Sequence, residues 1–153
     1  MKRVLVAGIG NVFLRDDGFG VAVAQQLAGE PLPEGTRVVD FGIRGMHLAF
    51  ELLEPLDLLV IVDTMSRGAL PGTLWVLDPT TAHAPASPDA HAMDPGTVLA
   101  SVERMGGTLP RTRVVGCEPA VLEEGMGLSE PVARAIAPAI SMIRQLITCE
   151  ASS

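Results

Sequence analysis

The sequence has few cysteines and few aromatic residues, and both shortages limit the kinds of protein it can encode. Its 153 residues include two cysteines, no tyrosine, one tryptophan and four phenylalanines. Two cysteines are too few for a disulfide framework, and a core with so little aromatic area must be built from aliphatic side chains. Residues 1–6 run directly into a strand-like segment. We therefore expect no cleavable signal and a cytoplasmic location.

Positive charge is also scarce. One lysine stands beside ten arginines, and the formal net charge at pH 7 is −7. Without a basic patch, binding to nucleic acid or to an anionic membrane is not expected. No apolar run is expected to have the length of a membrane span. An acidic surface suits a cation or a basic partner, unless the charge serves only to keep the protein soluble.

Short aliphatic runs alternate with longer segments that carry one apolar face, and this alternation predicts strands and helices in turn. The strands are predicted at residues 3–7, 37–41, 58–62, 73–77 and 111–116, and the helices at 17–28, 45–53, 95–105 and 129–147. The order predicts an α/β fold, a three-layer sandwich whose twisted, mainly parallel five-stranded sheet has helices on both faces. One domain is expected over residues 1–150, with a frayed tail at 151–153.

The last helix carries recognisable signals at its start. Ser129 is expected to cap it and Pro131 to lie in its first turn, where a missing N–H costs nothing. Pro138 falls inside the helical pattern, so a kink is predicted there.

The segment GIGNVFLRDDGFG, residues 8–20, combines a glycine-rich turn with two consecutive carboxylates. A glycine-rich turn after an apolar strand is typical of phosphate sites, where the N–H groups of a helix N-terminus attract an anion. Asp16 and Asp17 place negative charge at that position. The turn is therefore expected to hold a cation rather than a phosphate.

Ligands of an open parallel sheet bind beyond the carboxyl ends of its strands, where the strand order reverses. If the order begins 2-1-3, Asp17 after the first strand and Asp63 at the end of the third face one crevice. The long segment 78–94 brings His91 or His83 over it. Two carboxylates and an imidazole suit zinc, nickel, iron or manganese. The alternatives are a turn cap for Asp63, helix-dipole partners for Asp16 and Asp17, and ordinary loop histidines.

Other catalytic groups have less support. Cys117 follows the fifth strand and is either a nucleophile or, as we favour, a small buried residue. Cys149 is expected to be inert and His47 to lie at the surface. The sequence has no His-Glu-x-x-His motif, no Gly-x-Ser-x-Gly elbow and no Walker loop.

A dinucleotide site is a rival interpretation of the first turn. Gly8 and Gly10 follow the first strand and Asp40 closes the second, as in the dinucleotide-binding fingerprint. However, Phe13 stands where the third glycine belongs, and Asp40 comes later than a ribose-binding acid should. We therefore give this alternative little weight.

Five segments resemble, in order and spacing, the motifs of the hydrogenase maturation endopeptidases. They are GIGNVFLRDDGFGV at 8–21, DFGIRGM at 40–46, VIVDT at 60–64, SPDAH at 87–91 before a helix, and GCEP with GLS at 116–119 and 127–129. The resemblance covers nearly the whole chain. It implies an α/β sandwich and the removal of a C-terminal extension from the large-subunit precursor of nickel–iron hydrogenase, after nickel has been inserted.

The resemblance also implies residue roles. Asp17, Asp63 and His91 correspond to the family's metal-binding and catalytic residues, with Asp16 and His83 as the alternatives to Asp17 and His91. The family often has Glu where this chain has Asp17. The metal is then the nickel carried by the precursor, although zinc or cadmium also suits such a site.

Within the same resemblance, three residues are expected to shape the cleft and bind the substrate peptide: Asp40, Gly42 and Gly45. The metal either polarises the scissile carbonyl or activates water, or one carboxylate acts as general base. A nickel-sensing chaperone that inspects the precursor without cutting it is the alternative function. Phe19 marks either a partner surface or the core.

Overall fold

A computed structural model describes residues 2–43, 45–78 and 95–150. The strands are β1 (Val4–Ile9), β2 (Thr36–Gly42), β3 (Leu58–Thr64), β4 (Leu74–Leu77) and β5 (Arg111–Cys117). The helices are α1 (Phe19–Leu27), α2 (Gly45–Glu51), α3 (Pro95–Arg104), α4 (Glu130–Arg134) and α5 (Ile136–Glu150), and a 3₁₀ turn (Arg15–Gly18) precedes α1.

The strands form one five-stranded sheet in the order β2-β1-β3-β5-β4. Neighbouring strands are parallel except for β4, which runs antiparallel to β5. The predicted α/β fold class, the mainly parallel sheet and the 2-1-3 beginning are therefore confirmed. The prediction of a single domain over residues 1–150 stays a prediction, and the predicted frayed tail lies outside the described residues.

Each face of the sheet buries its own aliphatic core. Alternate residues of β1 point to opposite faces, so Val4 and Val6 belong to one core and Leu5 and Ala7 to the other. The first core includes residues of α1, α4 and α5, and the second includes residues of α2 and α3. The central strands are covered on both faces, which explains why they are continuous aliphatic runs in the sequence.

The last helical segment is interrupted as the position of Pro138 predicts, and the interruption falls at Ala135, between α4 and α5. A proline ring crowds the carbonyl four residues before it and supplies no N–H to that carbonyl. The effect of Pro138 therefore falls on Arg134, the last residue of α4. Pro131 lies in the first turn of α4, as predicted.

The segment Glu130–Glu150 is long and apolar enough to satisfy a length-and-composition test for a membrane-spanning helix. The expectation that no segment has this length was therefore wrong. Core helices satisfy the same test, and here Val132, Ala139 and Ile143 are buried against the sheet with Val60. Together with α1, this segment forms one outer layer of the sandwich.

Candidate functional site

The strand order reverses at β1, because the chain pairs β2 with one edge of β1 and β3 with the other. Where the connections from two adjacent parallel strands leave in opposite directions, a crevice forms at the carboxyl ends of the strands. Asp63 lies on β3, one residue before the end of that strand, and Asp17 lies on the 3₁₀ turn that follows β1. Both carboxylates therefore lie at the carboxyl edge of the sheet, where this topology predicts a crevice.

Two glycines allow α1 to begin close against the strands at this edge. A Cβ atom on Gly20 would lie 2.1 Å from the carbonyl oxygen of Val62, and one on Gly8 would lie 2.3 Å from that of Gly20. Only residues without a side chain fit where backbones approach so closely. These glycines set the distance between α1 and the sheet, and with it the position of the turn that carries Asp17.

Thr64 links the two half-buried carboxylates. Its hydroxyl donates a hydrogen bond to Asp17 Oδ1 at 3.0 Å, and its backbone N–H donates to Asp63 Oδ1 at 2.8 Å. The other oxygen of Asp17 accepts the backbone N–H of Asn11 at 2.9 Å. Each Asp17 oxygen has a second lone pair, so the carboxylate can still bind a cation while these bonds hold it.

Asp16 has a different environment from its neighbour. It is fully buried, and its Oδ2 accepts hydrogen bonds from the N–H groups of Ala120 and Val121 and from the Ser129 hydroxyl, each at 2.8 Å. Its Oδ1 accepts the N–H of Ser129 at 2.7 Å. Ser129 occupies the N-cap position of α4, but the predicted side-chain cap is wrong because its hydroxyl is directed to Asp16.

Burial raises the pKa of Asp16, but the hydrogen bonds from Ser129, Val121 and Ala120 outweigh it and hold the pKa below its ordinary value of 3.8. The Asp16 carboxylate is charged at neutral pH and surrounded by donors of the chain itself. Its geometry favours Asp17, the half-buried neighbour, as the residue that faces a ligand.

Asp40 and Gly42 lie at the carboxyl end of β2, beside β1. The Gln25 side chain donates a hydrogen bond to Asp40 Oδ2 at 3.2 Å, and the carbonyl of Gly42 accepts the N–H of Gly10 at 3.0 Å. Gly42 has φ +54°, a conformation that favours glycine. Gly45 is the first residue of α2, three residues after Gly42. Asp40 and Gly42 thus lie at the same edge of the sheet as Asp17, and the role of all three positions in peptide binding stays a prediction.

His91 and His83 lie outside the described residues, so the predicted third ligand stays a prediction. Among residues 2–43, 45–78 and 95–150, no three His, Cys, Asp or Glu side chains form a group able to hold a metal ion. Asp17 and Asp63 supply oxygen donors of the kind that divalent cations accept. A complete three-residue ligand set therefore requires a group from elsewhere in the chain or from the substrate.

The turn does not suit a dinucleotide. The N–H of Asn11, which a phosphate would need, already donates to the Asp17 carboxylate. A Cβ on Gly10 would lie 1.9 Å from the carbonyl oxygen of Asp17, so this glycine serves the fold of the turn. The alternative of a dinucleotide-binding enzyme therefore gains no support from the geometry.

Some site residues were not recognised from the sequence. Thr64 is the last residue of the VIVDT segment, yet nothing in the sequence indicates that it hydrogen-bonds both carboxylates. Glu118 is buried, and its Oε1 accepts the N–H groups of Arg67 and Ala69, which organises the loop after β3. The sequence offered one signal for Glu118, which is a charged residue directly after the aliphatic segment that forms β5. Phe19 is part of the core, and His47 is exposed as predicted.

Cys117 is buried, as favoured from the sequence, and Cys149 is exposed. Burial, together with the charges of Asp16 and Glu118, raises the pKa of the Cys117 thiol to about 12. Only a thiolate is a strong nucleophile, so Cys117 is protonated and unreactive at neutral pH.

We therefore expect iodoacetamide at about pH 8 to alkylate Cys149 alone in the folded protein, because Cys149 is exposed whereas the Cys117 thiol is buried and protonated. Mass spectrometry of the intact chain should show one adduct before unfolding and two in denaturant. Peptide mapping assigns each adduct. Rapid labelling of Cys117 in the folded protein would contradict this prediction.

Comparison with known proteins gives a consistent result. A family model described as "Hydrogenase maturation protease" matches residues 21–146. A hydrogenase expression/formation protein HupD of Rhodobacter capsulatus is 34% identical over 152 residues, covering 94% of this chain and 72% of the relative. The hydrogenase 2 maturation protease of Escherichia coli K12 is 31% identical over 147 residues, covering 92% of this chain and 88% of the relative.

A solved structure supports the same assignment. The hydrogenase maturating endopeptidase HybD from E. coli superposes with a TM-score of 0.83 at 29% sequence identity, covering 95% of this chain and 92% of that one. The fold and the family match agree, and the chain belongs to the hydrogenase maturation protease family.

Proposed function

We propose that this protein is an endopeptidase that removes the C-terminal extension of a nickel–iron hydrogenase large-subunit precursor after nickel insertion. One observation carries the proposal: in a chain of this family, Thr64 holds Asp17 and Asp63 together at the crevice where the sheet order reverses. The relatives named above support a hydrolase that acts in hydrogenase maturation.

The carboxylates bind the substrate through its own metal in this proposal. The nickel already present in the precursor is part of the substrate, and Asp17 and Asp63 supply oxygen ligands to it. Thr64 hydrogen-bonds both carboxylates before the precursor arrives. Binding then places the scissile peptide beside them, which converts a bimolecular encounter into a positioned reaction.

Asp17 and Asp63 are also the candidates for the general base. A carboxylate within hydrogen-bond reach of a water molecule can remove its proton as the water attacks the scissile carbonyl. Asp17 and Asp63 both suit this role, since both are ionisable and half-buried. We assign His91 as the third metal-binding and catalytic residue on the family resemblance, and zinc or cadmium as ions that the same donors accept in place of nickel.

The peptide itself is held by the neighbouring edge. Asp40, Gly42 and Gly45 border the crevice on the β2 side, and glycines there allow a second backbone to approach closely. The proposed location is the cytoplasm, where the precursor is folded around its metal, and the proposed partners include no nucleic acid or membrane.

The test uses the purified protein and a nickel-loaded large-subunit precursor. Mass spectrometry of the products should show loss of one C-terminal peptide with the nickel-loaded precursor and none with the metal-free precursor. Casein serves as a control for general proteolysis and should remain intact. Binding without any mass loss would refute the endopeptidase and favour the chaperone function. Digestion of casein would contradict the proposed dependence on the precursor's nickel.

A further inference from the structure

Three large apolar side chains are exposed near the carboxylates. Phe13, Ile43 and Met126 have 66%, 60% and 65% of their surface accessible. Single exposed apolar residues are common and need no explanation. These three, however, come from three different loops that meet at the turn carrying Asp17, and we call them the apolar rim.

Phe13 is held in a fixed position beside the site. Its N–H donates to the Asn11 side chain at 2.9 Å, and its carbonyl accepts the N–H of Gly125 at 2.9 Å. The N–H of the same Asn11 donates to the Asp17 carboxylate. One asparagine therefore connects the backbone of Phe13 to the Asp17 carboxylate.

Met126 is placed beside Phe13 by the residues on either side of it. The N–H of Arg15 donates to the Gly125 carbonyl at 3.1 Å, and Arg15 Nε donates to the Gly127 carbonyl at 2.7 Å. Arg15 has φ +50°, which is uncommon for a residue with a side chain. The hydrogen bonds of Arg15 to Gly125 and Gly127, in the loop that carries Met126 (the Met126 loop), hold its backbone in this conformation.

Ile43, the third residue of the apolar rim, lies on the other side of the turn that carries Asp17. Ile43 follows Gly42, whose carbonyl accepts the N–H of Gly10. The base of the Met126 loop is tied to the buried Asp16 through Ala120 and Ser129. The rim is thus built on hydrogen-bonded loops, so covering it costs side-chain rotamer entropy but little further ordering of the backbone.

Charge indicates what kind of segment fits. Glu123 and Glu124 are exposed on the Met126 loop, and Asp17 and Asp63 lie at the centre of the site. Arg15 supplies one positive charge, next to Gly127. An apolar segment without acidic residues is complementary to this surface, whereas an acidic segment is repelled.

We propose that the apolar rim docks an apolar, non-acidic segment of the hydrogenase precursor next to the scissile peptide. The inference rests on the proposed function, since the rim is continuous with the carboxylates that would face the bond to be cut. Docking by the rim adds binding energy at a distance from the reacting atoms and so determines which chain is cut.

The experiment compares Phe13→Ser and Met126→Ser with Met105→Ser. Met105 follows α3 before β5, so it lies at the amino-terminal edge of the sheet, and 37% of its surface is exposed. We expect KM for nickel-loaded precursor to rise about tenfold in each rim variant, with kcat changed by less than about twofold. Met105→Ser should leave both constants unchanged. Circular dichroism verifies that every variant is folded.

Two results would overturn the docking inference while leaving the proposed function intact. One is wild-type KM in both rim variants, and the other is an equal rise in KM for Met105→Ser. If the wild-type protein binds the precursor without cutting it, the endopeptidase fails, and the same comparison of variants is made on Kd. If the wild-type protein neither binds nor cuts the precursor, both proposals fail.

Discussion

Replacing Asp63 with asparagine is expected to reduce cleavage of the nickel-loaded precursor by about 10²–10⁴-fold, the range over which a positioned acid or base contributes to catalysis. Asparagine keeps the shape of the side chain and can still accept the N–H of Thr64, which Asp63 Oδ1 accepts at 2.8 Å. The amide has no negative charge and cannot accept a proton. Single-turnover cleavage followed by mass spectrometry measures the effect on the chemical step.

Asp57→Asn is the matched control, because Asp57 immediately precedes the same strand at its other end. Its Oδ2 accepts the N–H of Arg3 at 2.7 Å, far from the crevice. Asp57→Asn should cleave at the wild-type rate. An Asp63→Asn protein that also cleaves at the wild-type rate would remove Asp63 from the catalytic site, and Asp17 would then be the remaining described carboxylate there.

Asp16→Asn is expected to lower the free energy of unfolding by about 2–4 kcal/mol, through loss of charge-assisted bonds and an unpaired buried donor. The carboxylate accepts four hydrogen bonds, from donors on Ala120, Val121 and Ser129. An amide nitrogen in place of either oxygen opposes at least one of these donors. Urea unfolding followed by circular dichroism measures the change.

The loss of stability caused by Asp16→Asn should depend on pH in a direction that follows from the lowered pKa of Asp16. The pKa of Asp16 is lower in the folded protein than in the unfolded chain, so its charge stabilises the fold above the unfolded value, about 3.9. That contribution is lost as pH falls through the folded pKa. The stability difference between wild type and Asp16→Asn should therefore shrink below about pH 4.

Asp17→Asn is the control for stability, because Asp17 is half-buried and keeps an acceptor for Asn11 or Thr64. Its effect should be about 1 kcal/mol or less. Equal destabilisation by the two substitutions would contradict the assignment of Asp16 to the fold and Asp17 to the site.

The sheet could be predicted because its signals are local. The aliphatic runs that became β1 and β3 are visible in the sequence, and the handedness of crossovers restricts how their strands can be ordered. The antiparallel pairing of β4 had no such signal, because Leu74–Leu77 is short and its partner residues Val114–Cys117 are distant in sequence. The position of the break at Ala135 could be predicted only by noting that Pro138 disturbs the helix at the carbonyl four residues before it.

Parts of the site depended on contacts that sequence patterns do not contain. Asp16 and Asp17 are adjacent and chemically identical, and only the donors around Asp16 distinguish them. Phe13 and Phe19 belong to one motif, yet Phe19 is in the core and Phe13 is exposed. Periodicity could not separate these pairs, because the turn before α1 is irregular.

The hydrogen bonds of Asp16 to Ala120, Val121 and Ser129 span 104 to 113 residues of sequence. Contacts of such separation close late in folding, because the intervening chain must be ordered or looped first. On the ribosome, the turn that carries Asp17 is therefore not secured until the start of α4 has been synthesised. The site is therefore complete only after residues 120–129 have joined the first turn, and a chain truncated before Ser129 lacks this anchor.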